Sequence, residues 1–511
     1  MQEAARHYFA GERNEAARCC HVALLIQPLD FEALHLLGVL DTDAGNTSQA
    51  IERLRRAIEL RPEVAQVHYH LGNALRDLGQ HEEAEASYAA ALARQPDHAD
   101  ALNNRGNALR VLGRYDEAIA CYRAALAVRP DFAAAHYNLG RTLAVYVGPE
   151  AAIDSLRAAL EGTFAAGDAA HLADVYGELG RALLALDRVE EALETCHALR
   201  ARLPDEPAAA WNESLALLAL GRYHEGWAKY ESRFLIPAHG PAPSAHHVLA
   251  LDQVAGRRVK LAAEQGRGDI IQFSRYATML ARRGAQVVIE AYPDLVTLLG
   301  TLDGIAEVVE YESPTVQDVT TSLLSLPMAF GTEVETIPAE VPYLRAPDDR
   351  LARWRDRLGP RERPRIGVAW WGSAPSRPSS MPVTALAPLL RQPGIEFHAL
   401  QKELPDEHRA WLVADRLAVL HDAALEDFAD TAALIMQMDL IVTIDTAVAH
   451  LAGALGKPVW IMLVRGADWR WLRHRTDSPW YPTARLFRRG PELDWAGVVD
   501  AVVQALPEAI G

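Results

Sequence analysis

At 511 residues with a formal charge of −17, the chain is too long for one core and too acidic to favour the phosphates of nucleic acid. Half its residues are hydrophobic and 23% are charged, the balance of a folded, water-facing protein in which disorder is confined to short stretches. No apolar run approaches the roughly 18–20 residues that span a bilayer. The start, Met1-Gln2-Glu3-Ala4-Ala5-Arg6, lacks the basic-then-apolar pattern of a secretion signal, so a cytoplasmic protein without a membrane span is expected. Its four cysteines, Cys19, Cys20, Cys121 and Cys196, show no C-x-x-C or Cys/His spacing and read as reduced thiols.

The N-terminal half repeats. Gly38, Gly72, Gly106 and Gly140 stand 34 residues apart, as do Gly11, Gly45, Gly79 and Gly113, then Pro28, Pro62, Pro96 and Pro130, then Ala16, Ala50, Ala84 and Ala118. A unit of that length holds two helices and two turns. One glycine permits close helix approach, the other ends the first helix in a left-handed residue, and proline closes the second helix. Leu112-Gly113-Arg114-Tyr115-Asp116-Glu117-Ala118-Ile119 resembles the consensus of tetratricopeptide (TPR) repeats. The phase slips between about 146 and 170, where Gly180 follows Gly140 by 40 residues, and resumes with Asp187 and Gly221. Six or seven units over 1–235 are expected, with atypical capping units at the ends. Asn73, Asn103, Asn104, Asn107 and Asn138 fall on first helices, where they either clamp a peptide backbone or face solvent.

A linker is expected at 236–257, where Pro237, Gly240, Pro241 and Pro243 rule out a continuous helix. Beyond it, strand-like runs at 259–264, 286–291, 307–311, 365–371, 396–401, 440–445, 458–464 and 485–487 alternate with helix-like ones, for example 270–282 and 447–455. That alternation implies parallel sheets with crossover helices. A charged stretch at 350–363 divides the region into lobes at 258–360 and 361–511, with a ligand expected in the cleft between them.

The chemistry concentrates at strand ends. In Glu264-Gln265-Gly266-Arg267-Gly268-Asp269-Ile270-Ile271-Gln272-Phe273, Gly266 and Gly268 permit a tight turn. Asp269 then either takes a proton from an incoming hydroxyl or simply caps a helix. In Asp445-Thr446-Ala447-Val448-Ala449-His450, Asp445 reads as an N-cap holding the turn. Thr446 and the N–H groups of Ala447 and Val448 are better suited to phosphate; His450 reads as a structural hydrogen-bonder, and Gly456 ends that helix. Lys402, at a strand end, has the charge to neutralise a departing diphosphate or is simply exposed. The aromatic and basic segments at 468–473 and 478–482 either stack on a ligand or pack the lobes together. No D-x-D follows a strand in the C-terminal half, and no cofactor or metal is expected.

Over about 250–505 the chain resembles the TPR-containing bacterial glycosyltransferases of the heptosyltransferase-like (family 9) type, and more distantly the O-GlcNAc transferases. The segments carrying the resemblance are 264–273, Asp427-Phe428-Ala429-Asp430-Thr431-Ala432-Ala433, 445–456 and 468–482. It implies an all-α TPR solenoid followed by an α/β GT-B domain of two Rossmann-like lobes, the first on the acceptor side and the second binding nucleotide-sugar. It also implies Asp269 as the base, a phosphate cradle at 446–448, and Asp430 and Thr431 near the nucleotide. Two departures stand out. The loop 372–382 has Ser379 where relatives carry arginine, and Asp318-Val319-Thr320 replaces D-L-H. The expected function is metal-independent inverting transfer from a nucleotide-sugar to Ser or Thr of a protein acceptor held by the repeats, flagellin or another surface protein being examples. The alternatives are a non-catalytic TPR adaptor with a degenerate nucleotide-binding domain, and heptosyl transfer to lipopolysaccharide.

Overall fold

A computed structural model describes residues 1–162, 169–236, 249–372, 380–490 and 494–510. The chain divides into two compact units, Met1–Leu183 and Leu184–Gly511.

The first unit is a TPR solenoid of paired helices, from Gln2–Phe9 with Arg13–Ile26 to Ala133–Tyr146 with Pro149–Glu161. Each series of small residues has its physical cause. A Cβ on Gly38, Gly72, Gly106 or Gly140 would lie 2.5–2.7 Å from Leu54, Tyr88, Tyr122 or Leu156 of the paired helix. Gly11, Gly45, Gly79 and Gly113 take φ of +74° to +79° at the turns, where a side chain clashes with the backbone. Ala16, Ala50, Ala84 and Ala118 are fully buried. The phase slip falls partly on 163–168, outside the described residues. Helix Ala169–Ala185 spans the boundary between the units.

The second unit takes in the last helices of repeat character, Val189–Arg202, Pro207–Ala219 and Tyr223–Tyr230, together with two parallel sheets. The strands are β1 (Arg258–Ala262), β2 (Gln286–Ala291), β3 (Ile305–Glu310), β4 (Val319–Ser322), β5 (Arg365–Ala369), β6 (Glu396–Ala399), β7 (Val419–Leu420), β8 (Leu440–Ile444), β9 (Val459–Leu463) and β10 (Ala484–Arg488). The first sheet runs β3-β2-β1-β4 and the second β10-β9-β8-β5-β6-β7. Every residue of β5 and β8 is buried because both faces of the sheet are covered there. From β5 the chain builds outward through β6 and β7, then returns to β8 and builds the other way. That reversal puts a topological switch point, where ligands of open α/β sheets bind, at the carboxyl ends of β5 and β8.

Three details differ from the sequence reading. β4 and β7 are additional strands. The expected helix at 270–282 is two, Arg267–Phe273 and Arg275–Arg282, meeting at Ser274. The stretch 350–363 is largely helix Asp348–Leu358, whose Trp354 is buried and which packs on helix Phe428–Met436.

Candidate functional site

Within the second unit, helix Arg267–Phe273 after β1 packs directly on helix Ala447–Ala454 after β8. Gly268 makes the approach possible. A Cβ there would lie 2.9 Å from the His450 ring and 3.5 Å from the Ala447 Cα. The left-handed residue of this turn is Gln265, at φ +60°, while Gly266 stands at φ −91°. The glycines therefore serve close approach, and the turn's strain sits on Gln265, whose side-chain amide donates to Tyr230 (3.0 Å).

Asp269 occupies the third helical position. Its Oδ2 accepts from the Gly266 N–H (2.9 Å), and its Oδ1 takes the Arg470 guanidinium. It thus caps the helix while 20% of its side chain stays accessible. Arg470 is buried and donates also to Asp468 (2.8 Å) and to Gln272 Oε1 (2.8 Å), with its guanidinium over the Trp469 ring. Burial works against its charge, but Asp468 and Asp269 outweigh that and hold the guanidinium above its ordinary range.

Asp445 lies at the end of β8 with 24% of its side chain accessible. Poor solvation pushes its carboxyl up to about 7, and the charge of Asp468 adds to the rise. Trp471 and Arg470 oppose it, although the indole N–H of Trp471 closes no regular hydrogen bond. The reading of Asp445 as N-cap is corrected: Thr446 holds that position in extended backbone, and no side chain caps the helix. Asp445, Thr446 and Ala447 are half-buried, so the helix start remains partly open; Val448 and His450 are buried. His450 makes a hydrogen bond with the Tyr481 hydroxyl (3.0 Å), stacks on Trp471 and lies 3.9 Å from Asp445. Burial, with Arg470 and Arg275 nearby, drives its pKa well below the usual histidine range, so the ring is neutral. Gly456, at φ +70°, follows the end of the helix.

The other candidates stand apart from this cluster. Lys402 follows β6, separated from β8 by β5, and donates to the Glu426 carbonyl (2.6 Å) from an exposed position. Asp430, expected near the nucleotide, is held within the protein. Its carboxylate is fully buried and is taken by Arg350 (3.1 Å), Arg353, Trp354 Nε1 (3.0 Å) and the Glu426 N–H (3.0 Å). It ties the 348–358 and 428–436 helices together and presents no face to a ligand. Thr431 donates back to the Asp427 carbonyl (3.3 Å). Trp469, Trp471, Trp480 and Tyr481 are buried, so these rings pack the core. Thr320 lies buried in β4. Of the loop 372–382, residues 373–379 lie outside the described residues.

Sequence reasoning missed two arginines and the partners of a third. Arg233 is buried and grips both Glu264 oxygens (2.7 and 3.0 Å), Glu231 and Ser325, fixing the approach to the 264–268 loop. Arg275 donates to the Trp480 carbonyl (2.9 Å) and to Tyr343 (3.1 Å), joining the 275–282 helix to the 478–482 segment. Arg470 is the third. The signal for each was a charged residue amid aromatic ones, which a sequence also shows on ordinary surfaces.

In the first unit the asparagines bond to one another. Asn104 donates to Asn73 (3.0 Å), Asn138 to Asn103 (3.0 Å) and Asn103 to Asn104 (3.2 Å), while Tyr88 and Tyr122 donate to Asn73 and Asn107. They form a ladder between repeats.

Residues 35–99, 71–120 and 178–236 match tetratricopeptide repeat, and 106–144 match TPR repeat. Residues 406–462, from the helix before β7 into β9, match glycosyltransferase family 9 (heptosyltransferase). Protein FlbA of Caulobacter vibrioides is 27% identical over 376 residues, covering 66% of this chain. The chain spans 62% of that relative's length. Among solved structures, a crystal structure of MamA is 26% identical, covering 32% of this chain and 94% of its own, with a TM-score of 0.30. That of YrrB, a TPR protein with an unusual peptide-binding site, is 22% identical, covering 37% and 93%, with a TM-score of 0.31.

Proposed function

We propose that this TPR-containing, family 9 glycosyltransferase-like chain transfers a sugar from a nucleotide-sugar to a serine or threonine of a protein acceptor engaged by the repeats. The reading is supported by the family 9 match over 406–462. The single observation that carries it is the packing of Gly268 against His450 and Ala447. It brings the Asp269 carboxylate and the open start of the 447–454 helix to neighbouring positions, and the transfer needs both.

In the proposed reaction the acceptor hydroxyl gives its proton to Asp269 as its oxygen attacks the anomeric carbon from the face opposite the nucleotide. The bond from that carbon to the diphosphate breaks, and its electron pair leaves on the phosphate oxygen. Thr446 and the N–H groups of Ala447 and Val448 stabilise that charge, with no metal or cofactor required. The repeats raise the local concentration of the acceptor.

A second reading, a TPR adaptor whose domain binds nucleotide without turnover, is favoured by one observation: both Asp269 oxygens already have protein donors. The two readings separate in one experiment. A panel of nucleotide-sugars is titrated by calorimetry and then assayed for sugar release with wild type and Asp269→Ala. Transferase chemistry predicts a fall of roughly 10²–10⁴-fold in kcat with donor affinity retained. Binding without turnover establishes the adaptor, and turnover that Asp269→Ala leaves unchanged removes Asp269 as the base.

A further inference from the structure

We propose that Asp187 is a positioning residue for the transfer site: through Arg473 it fixes the 465–475 loop so that Arg470 meets Asp269. The inference rests on the transferase reading above and adds to it a device that connects the last repeats to the reacting carboxylate.

The first observation is a substitution within the repeat pattern. The turns between paired helices place Gly11, Gly45, Gly79, Gly113 and Gly221 at φ of +74° to +79°. At the turn between Ala169–Ala185 and Val189–Arg202, the same place is held by Asp187 at φ +58°. Aspartate tolerates this left-handed conformation but pays a steric cost that glycine avoids. The repeat therefore gives up its best turn residue where a carboxylate is present instead.

The second observation is what that carboxylate does. Asp187 Oδ1 accepts from Arg473 Nε (2.7 Å), and the Asp187 carbonyl accepts from Arg473 Nη2 (3.0 Å). Arg473 Nη1 reaches Glu190 (2.7 Å), and His474 Nε2 lies 4.0 Å from Asp187 Oδ2. A planar guanidinium held at three donors by one turn is a rigid strut. Gly466 N–H also donates to the Ala185 carbonyl (3.0 Å), so the loop touches the repeat at both ends.

The third is the strain in the loop itself. Leu472 and His474, on either side of Arg473, take φ of +50° and +54°, conformations that persist only where surrounding bonds impose them. Arg488 supplies the opposing grip, donating to the Trp471 and Leu472 carbonyls (2.7 Å each) and to that of Arg475 (3.0 Å). Three residues before the strut stands Arg470, whose guanidinium takes Asp269, Asp468 and Gln272. Releasing Arg473 frees the loop on the side that sets the reach of Arg470.

Asp187→Gly in the full-length chain is the direct test, because it restores the residue that the other turns carry. The expected result is a protein that melts no lower than wild type, with faster amide hydrogen exchange confined to 465–475. Its kcat for sugar release falls roughly ten- to a hundred-fold, while donor affinity by titration stays within about twofold of wild type, a split that no general loss of folding produces. Asp187→Asn, which keeps an acceptor oxygen and tolerates the turn, recovers most of the rate. Unchanged exchange in the loop, or a loosened loop with wild-type kcat, overturns the proposal. A rate loss that accompanies faster exchange across the whole second unit overturns it too. Because exchange is read without turnover, a wild type that processes no nucleotide-sugar sinks only the transferase reading, and an unmoved loop in Asp187→Gly sinks this one.

Discussion

The same 34-residue grammar meets two different fates in this chain. In Met1–Leu183 each helix pair closes on itself and its neighbours, glycine against the paired helix and tyrosine bonded to asparagine along the ladder. After Leu184 the last helix pair, Pro207–Ala219 and Tyr223–Tyr230, joins the core of the sheets. Tyr223, Trp227 and Tyr230 pack with Phe273, Trp469 and Trp480, and Trp227 donates to the Thr332 carbonyl (3.1 Å). Periodicity dictates the local fold of a repeat. Which core it enters depends on the side chains outside the consensus positions.

The most severe way to break this comparison is truncation. A fragment beginning at 236 loses Tyr223, Trp227, Tyr230 and Arg233, and it is expected to be insoluble or to unfold without a cooperative transition. A fragment beginning at 184 is expected to melt cooperatively. If 236–511 folds alone, the repeats after 184 are an accessory to the sheets and the comparison fails.

Next in size is Arg233→Ala, which takes from Glu264 the buried guanidinium that grips both its oxygens. A loss of about 3–5 kcal/mol is expected by urea denaturation. The exposed Arg114→Ala in the solenoid, read the same way, is expected to change nothing measurable.

The pH dependence of stability sharpens the contrast further. Asp445 is raised to about 7, so the folded chain holds a proton there that the unfolded chain releases near pH 4. Its contribution therefore falls as pH rises from about 4 to 7 and is level above. His450 acts in the opposite sense: its depressed pKa loses stability as pH falls below about 6.5. Asp445→Asn isolates the first effect. Its advantage over wild type is expected to grow by on the order of 2–4 kcal/mol between pH 4 and 8, checked by denaturation across that range. A constant difference contradicts the assignment.

The smallest expected effects lie in the solenoid. Gly106→Ala drives a methyl to 2.6 Å from Tyr122 and is expected to cost about 1–3 kcal/mol. Gly180→Ala meets nothing within 4 Å and is expected to be stabilising by about 0.5–1 kcal/mol. Thermal melts of the two variants compare close approach with open space in a single assay.

Much of this was legible in the sequence because it is local. Turn glycines, paired-helix glycines and most strands announce themselves within a few residues. β4 did not, because Val319-Thr320-Thr321-Ser322 reads as polar although all four side chains are buried. β7, only two residues long, offers no period to detect. At the site, the 264–269 loop and the 445–450 helix start were visible as strand-to-helix junctions. Their meeting through Gly268 was not, nor was the pairing of Arg470 with Asp269 across 201 positions or of Arg473 with Asp187 across 286. Nor was the surrounding of Asp430 visible: a motif match placed it near the nucleotide, and Arg350, Arg353 and Trp354 hold its carboxylate.

The most direct test of the central claim is intact-mass spectrometry of cellular proteins from cells making wild type or Asp269→Ala at equal level. Transfer at this site predicts a protein that loses whole-sugar increments from Ser or Thr in the variant. Identical protein masses in the two, with the variant folded and present, would contradict it.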